Sequence, residues 1–253
     1  MNRPTSTPSM TGTLYLIPNT LGPSELDTVI PAEVRIITAG LDHFIAENAK
    51  TARAFLKLVG ASHPLCTSLQ EMKIEELNVN TAAAQVPALL APLLAGKNVG
   101  LLSEAGVPAV ADPGADLVRL AHAKGIKVRP LVGPSSILLA LMASGLNGQS
   151  FAFNGYLPTD AEARAKRIKL LEQRSRQDKQ TQLFIETPYR NAALLEALLT
   201  HCSATSLICV ATDLSLSSES VSTASAAHWK RELAAGRAPD FHKKPTVFLM
   251  LAE

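Results

Sequence analysis

Two short stretches pair small residues with room for a ligand: Ser103-Glu104-Ala105-Gly106-Val107-Pro108 and Gly133-Pro134-Ser135-Ser136. Glycine and alanine let a flat molecule approach the backbone closely, so both stretches read as cradles rather than as sources of a nucleophile. Each follows an apolar run, Val99–Leu102 or Ile126–Leu131, and each leads into a helical pattern. Loops of that kind fall at the carboxyl ends of strands, where open α/β sheets bind their ligands. A different chemistry is offered by residues 162–179. There Arg164, Lys166, Arg167, Lys169, Arg174, Arg176 and Lys179 outnumber Glu162, Glu172 and Asp178, an excess of four positive charges. Such a run suits phosphate contact, and it also reads as the wet face of a helix. The six histidines show no metal-ligand spacing, and Cys66, Cys202 and Cys209 form no CxxC pair. Neither G-x-G-x-x-G nor G-x-x-x-x-G-K is present, which leaves a conventional dinucleotide or nucleoside-triphosphate site without support.

The elements that must position these loops follow from apolar patterning. Thr13–Ile17 predicts a strand that breaks at Pro18-Asn19-Thr20-Leu21-Gly22-Pro23, and Val34–Thr38 predicts a second. His43–Gly60 predicts a helix, because Phe44, Ile45, Ala49, Ala52, Phe55, Leu56 and Val59 recur at spacings of three and four. Leu65–Ser68 reads as a short strand, and residues 71–96 as helical material interrupted by Pro87 and Pro92, with a helix start near Pro87. After the strand Val99–Leu102, Asp112 is the expected N-cap and Pro113 the first residue of a helix. Its stripe of Leu117, Val118, Leu120 and Ala121 ends at Gly125. Strands at Ile126–Leu131, Gln182–Glu186, Leu207–Ala211 and Thr246–Leu251 alternate with helices at 137–142 and up to Leu199. This alternation predicts an α/β architecture.

At 253 residues the chain suits one large or two ordinary domains. Its 47% hydrophobic and 18% charged residues are ordinary for a globular enzyme, while the 4% aromatic content argues against a base-stacking platform for single-stranded nucleic acid. A net charge of +2 neither demands nor excludes an anionic partner. The start, MNRPTSTPSM, is polar and proline-rich and is set aside as a flexible tail, residues 1–11. No apolar run reaches the roughly 18 residues of a membrane helix. The cysteine pattern suits a reduced cytoplasm.

The blocks SEAGVPAVADPG, VRPLVGPSS and FAFNGYLP resemble S-D-A-G-T-P-x-x-x-D-P-G, P-L-P-G-P-S/C and F-x-F-x-G-F-L-P of the tetrapyrrole methylase-like superfamily. Within it they are most similar to the branch of bacterial small-subunit ribosomal RNA cytidine 2′-O-methyltransferases, over residues 12–250, without the further small domain that many members carry at the C-terminus. The resemblance implies the class III methyltransferase fold, two α/β/α domains with a ligand cleft between them, here residues 12–130 and 131–253. It implies S-adenosylmethionine as cofactor, no metal, a homodimer in the cytoplasm, and ribosomal RNA as partner.

Carried over by position, cofactor contacts fall on Pro18, Glu104, Ala105, Gly106, Val107, Pro108, Ser135, Ser136, Ile185, Ala211, Lys244, Pro245 and Thr246. The carboxylates in matched motifs, Glu47 and Glu186, become candidate general bases, and Lys50, Arg167, Lys169 and Arg190 candidate substrate contacts. Several positions depart from the family pattern. Asn19 stands for a threonine, Pro23 for an asparagine, Asn48 for an aspartate, Glu104 for an aspartate and Tyr189 for a histidine. Asn48, Tyr189 and an altered Thr212-Asp213-Leu214-Ser215 segment keep open a catalytically silent protein that binds S-adenosylmethionine in regulation. A further alternative is methylation of a small molecule such as a tetrapyrrole, against which the missing G-x-G-x-G-D first loop speaks.

Overall fold

A computed structural model describes residues 11–252 as two units, one ending at Pro134 and one starting at Ser135, each built on its own five-stranded sheet. The expected tail, residues 1–10 apart from Thr11, lies outside the described residues. Residues 131–134 stay with the first unit rather than opening the second. The Leu131 N–H still donates to the Leu16 carbonyl at 2.9 Å, extending the pairing of the first strand.

The first unit runs β1 (Thr13–Ile17), α1 (Leu26–Val29), α2 (Ala32–Ala39), β2 (His43–Ala46), α3 (Ala49–Ser62), β3 (Lys73–Glu76), a 3₁₀ turn (Val86–Leu90), α4 (Ala91–Leu94), β4 (Val99–Leu102), α5 (Ala115–Ala123) and β5 (Lys127–Pro130). All five strands are parallel, in the order β3-β2-β4-β1-β5. Side chains alternate across the sheet and build two cores. Ile17, Phe44, Ala46 and Leu102 meet α1, α2 and α3 on one face, with Phe55, Leu56 and Val59 beneath them. Leu14, Ile45, Val99 and Leu101 meet α4, α5 and the 3₁₀ turn on the other. The chain leaving β2 therefore goes to one face and the chain leaving the adjacent β4 goes to the other. Their loops diverge at the carboxyl ends of these two strands, the place where open α/β sheets bind their ligands.

Three sequence expectations fail in this unit. Residues 34–38 form α2 rather than a strand. The single helix expected over 43–60 is a strand, a cap and a helix: all four residues of β2 are buried, and Asn48 caps α3. A fully buried strand shows no polar alternation, so its apolar run merges with the helical periodicity that follows. Leu65–Ser68 is irregular, and the third strand comes later, at Lys73–Glu76. In addition α5 starts two residues beyond the expected cap: Gly114, at φ 132°, takes that place and releases Asp112 into the preceding loop.

The second unit runs α6 (Ser136–Ser144), β6 (Phe151–Tyr156), α7 (Ala161–Asp178), β7 (Thr181–Ile185), a 3₁₀ turn (Pro188–Arg190), α8 (Asn191–His201), β8 (Leu207–Thr212), β9 (Ser220–Ser225), α9 (Ala226–Ala234) and β10 (Thr246–Leu251). Its sheet is mixed, in the order β6-β7-β10-β8-β9, with only β6 and β7 parallel. Phe184, Ile208, Val210, Phe248 and Met250 point to a core shared with α7, α8 and α9, where Trp229 and Phe241 are also buried. Helix α6 packs on the opposite face. Because β10 is antiparallel to β7 and β8, the segment that enters it lies at the same sheet edge as the loops that leave them.

Candidate functional site

In the first unit Glu47 follows β2 directly, and Ser103 and Glu104 follow β4, so these residues stand at the divergence of the two loops. Burial raises the Glu47 carboxyl above the ordinary range, neighbouring Glu104 raises it further, and a hydrogen bond from the Glu104 backbone works in the opposite direction. Asp112, half-buried in the loop after β4, is pushed up to about 6, first by burial, then by Glu47 and Glu104, against a hydrogen bond with Ser103. Asp112 also lines a cavity of about 290 Å³ that extends to Asn78 and Thr81. Among the described residues no ion pair neutralises Glu47, Glu104 or Asp112. Carboxylates grouped without a cation either hold a proton or await a positively charged ligand.

The loops around them are held by backbone and amide groups. The Asn19 N–H donates to the Gly106 carbonyl at 2.8 Å, and its side-chain Nδ2 donates to the carbonyls of Ser103 at 3.3 Å and Glu104 at 3.0 Å. Its Oδ1 accepts from the Thr20 N–H at 2.8 Å. A threonine has no amide with which to make such a joint, so this departure from the family pattern is a structural element in its own right. Two glycines are required by geometry. Gly106 adopts φ 69°, and a Cβ on Gly133 would lie 2.2 Å from the Pro18 ring. Ala109 and Ala111 both sit at φ 65°, a conformation that costs a non-glycine residue on the order of 1 kcal/mol and that clusters at functional loops.

Of the residues carried over to this unit, Pro18, Gly106 and Pro108 are buried and support the loop, Val107 is half-buried, and Glu104 and Ala105 are exposed. Lys50 is exposed in the first turn of α3. Asn48 is a helix cap, accepting from the backbone of Lys50 at 2.8 Å and Thr51 at 3.3 Å, which accounts for it without catalysis.

The second unit treats its charged residues differently. Glu186 is 5% exposed. Its Oε1 accepts from the Thr187 N–H at 2.6 Å and from Arg190 Nε and Nη2 at 3.0 and 2.6 Å. These contacts tie down the 3₁₀ turn and give Glu186 and Arg190 a structural task. Lys244 bonds Asp240 at 2.8 Å and lies 3.6 Å from the buried Asp213, and together these raise its pKa. Thr246 shares a hydroxyl contact with Thr212 at 3.2 Å. Ser135 caps α6, accepting from the Leu138 N–H at 3.5 Å, with Ser136 the first helical residue. Ile185 ends β7, and Ala211, with no exposed surface, pairs with both Val247 and Val221.

Residues 161–178 do form a helix. Lys169 is exposed, Arg167 donates to Asn154 Oδ1 at 3.1 Å, Lys166 pairs with Glu162 at 2.5 Å, and Arg176 reaches Ser203 at 3.2 Å.

Sequence reasoning missed Asn191. It is 1% exposed and donates through Nδ2 to the carbonyls of Phe241 at 3.0 Å and Lys244 at 2.9 Å and to Thr246 Oγ1 at 3.2 Å. Its local signal is a polar residue opening a helix whose next four residues are apolar. A larger cavity, about 440 Å³, lies along β9 and α9 and is lined by none of the carried-over residues. Among the described residues no group of three or more His, Cys, Asp or Glu is placed to hold a metal, and no helix is long and apolar enough to cross a membrane.

Comparison with known proteins agrees with this architecture. Residues 14–228 match the family model described as tetrapyrrole (corrin/porphyrin) methylases. The chain is 32% identical over 213 residues to the ribosomal RNA small subunit methyltransferase I of Xylella fastidiosa, covering 84% of this chain and 72% of that protein. It is 32% identical over 187 residues to the protein of the same name from Pseudomonas aeruginosa, covering 74% of this chain and 60% of the relative. Among solved structures, the methyltransferase CobJ superposes with a TM-score of 0.58 at 18% identity, over 96% of this chain and 95% of that one. The cobalt precorrin-4 methyltransferase CbiF gives 0.56 at 14% identity, over 94% of each chain. The chain belongs to the tetrapyrrole methylase family, and it has that fold.

Proposed function

We propose that this tetrapyrrole methylase transfers a methyl group from S-adenosylmethionine to RNA, on a ribose 2′-hydroxyl of ribosomal RNA. The observation that carries the reading is the group of three unneutralised carboxylates, Glu47, Glu104 and Asp112, set among backbone-lined loops at the β2/β4 divergence. A crevice walled by small residues suits an adenosyl group, and negative charge without a protein cation suits a sulfonium. The relatives named as ribosomal RNA methyltransferases support RNA as the acceptor. When bound, S-adenosylmethionine supplies a methyl group already activated by the positive sulfur.

The remaining work belongs to the chain. Pro18 and the segment Glu104–Pro108 shape the cofactor site, and Asn19 fixes the two loops against each other. Alignment of two bound reactants contributes about 7–11 kcal/mol to such a reaction. Glu47 is the group that takes the acceptor hydroxyl's proton: it is the carboxylate of the family-matched motif after β2, and burial raises its pKa, which makes it a better base. The family's pattern also assigns Ser135, Ser136, Ile185 and the turn Lys244-Pro245-Thr246 to cofactor contact. The same reading makes the enzyme cytoplasmic and homodimeric, with exposed Lys50 and Lys169 available to RNA.

Two measurements test this. At 100 times its dissociation constant a ligand adds about 2.7 kcal/mol of stability, so S-adenosylmethionine should raise the melting midpoint clearly. Its affinity should rise with pH through about 6, where Asp112 ionises, while the uncharged thioether product should respond less. Tritium from the labelled methyl group should appear in total RNA and vanish after RNase treatment. Cofactor binding without transfer would favour the silent regulatory reading, and transfer to a tetrapyrrole instead would favour the small-molecule one.

A further inference from the structure

Tyr189 is 76% exposed, although it stands between two buried anchors. On one side Glu186 holds Arg190 through two contacts to one oxygen. On the other, Asn191 pins the segment 241–246 through three acceptors. That segment presents Lys243, whose Nζ lies 5.9 Å from the centre of the Tyr189 ring. Lys243 is itself exposed and held at φ 58°, within a turn closed by the Lys244 N–H to the Phe241 carbonyl at 3.2 Å. An aromatic ring this exposed contributes little to the core. Here its 3₁₀ turn and the turn carrying its neighbouring cation are both held by hydrogen bonds, at the sheet edge that also carries Lys244-Pro245-Thr246.

We propose that Tyr189 and Lys243 form a contact site for single-stranded RNA, the ring stacking on an unpaired base and the ammonium meeting the adjoining phosphate. The proposal rests on the RNA reading above and deepens it by naming where the second unit touches its substrate. Stacking on one ring is tolerant of sequence but needs an unstacked base, so the site selects single strands over duplex. Its chemistry is distinct from that of the α7 run, where Arg167 and Lys166 already have protein partners.

The test uses the full chain and a short fluorescent single-stranded RNA, followed by anisotropy, with a duplex of the same sequence for comparison. Tyr189→Ala should weaken single-strand binding about tenfold and raise the KM for RNA to match, with kcat and the affinity for S-adenosylmethionine kept. Tyr189→Phe and Tyr189→Trp should restore binding to within about twofold, which a purely structural role for the residue would not produce. Lys243→Ala should reduce the slope of log affinity against log salt by about 0.7. If the wild type binds and methylates RNA while Tyr189→Ala binds it equally well, this inference falls and the proposed function stands. If the wild type neither binds nor methylates RNA, both fall. A change in sedimentation of Tyr189→Ala would make the ring a subunit contact and overturn the inference as well.

Discussion

The strand-end loops of the two units manage charge in opposite ways. In the first, Glu47, Glu104 and Asp112 lie together without a cation, and burial, then their proximity, raises the pKa of Glu47 and Asp112. In the second, Glu186 is matched to Arg190 and Asp213 to Lys244, and the loops are closed by side-chain bonds from Asn191. Both sets of carboxylates look alike in sequence. The difference teaches that a carboxylate's burial says little about its task, whereas the presence of a partner says a great deal. A paired group holds shape, and an unpaired one keeps free energy in reserve for a ligand or a proton.

The contrast is broken most directly by comparing Glu47→Gln with Glu186→Gln. The first should lower methyl transfer by about 10²- to 10⁴-fold, with S-adenosylmethionine binding kept to within a few-fold. The second should leave kcat near wild type at a temperature where the protein is folded. Equal loss of turnover in both would erase the distinction.

A smaller effect is expected on stability from Glu186→Ala, which strands Arg190 and the Thr187 N–H. Breaking a fully buried pair costs about 3–5 kcal/mol, but the Arg190 side chain is 39% exposed and can rehydrate, so about 2 kcal/mol is expected from urea unfolding. Glu47→Ala strands no side-chain cation and frees only the backbone N–H of the exposed Glu104, which water can satisfy, so it should cost less than Glu186→Ala.

Smaller still is the pH response of Asp112. Its folded pKa of about 6 exceeds the unfolded value near 3.8, so the native state binds the proton more tightly. Stability from this group is present below about pH 4 and is lost as pH rises through about 6. Half-burial and solvent screening reduce the effect to roughly 1 kcal/mol. The melting midpoint of Asp112→Asn minus that of the wild type should therefore grow between those limits and level off above them. A flat difference would show that the acidic group is less strained than its geometry implies.

Least of all is expected from the exposed pair Lys166–Glu162, whose side chains are 75% and 77% exposed. Lys166→Ala should change stability by no more than about 0.5 kcal/mol, and the change should disappear at high salt.

Sequence by itself determined the α/β class, the strands around Thr13–Ile17, Val99–Leu102 and Thr246–Leu251, and the small-residue loop after β4, because each has a local signature: β-branched or aliphatic runs, punctuation by Gly and Pro, absence of bulk. The charged helix at 161–178 was legible for the same reason. Tertiary structure decided the rest. Glu47 became a strand-end residue only because β2, four buried residues with no polar alternation, inserts between β3 and β4. Asn19 reaches loop atoms 84 and 85 positions away, and Asn191 reaches atoms 50 to 55 positions away. Whether Asp213 meets a cation, Lys244, and Asp112 does not depends likewise on where the fold brings other chain segments, whereas the Glu186–Arg190 pair is local. Patterning reports on neighbours within about one helical turn or along one strand. Partners that far apart are set by strand order and packing, which no short window of sequence contains.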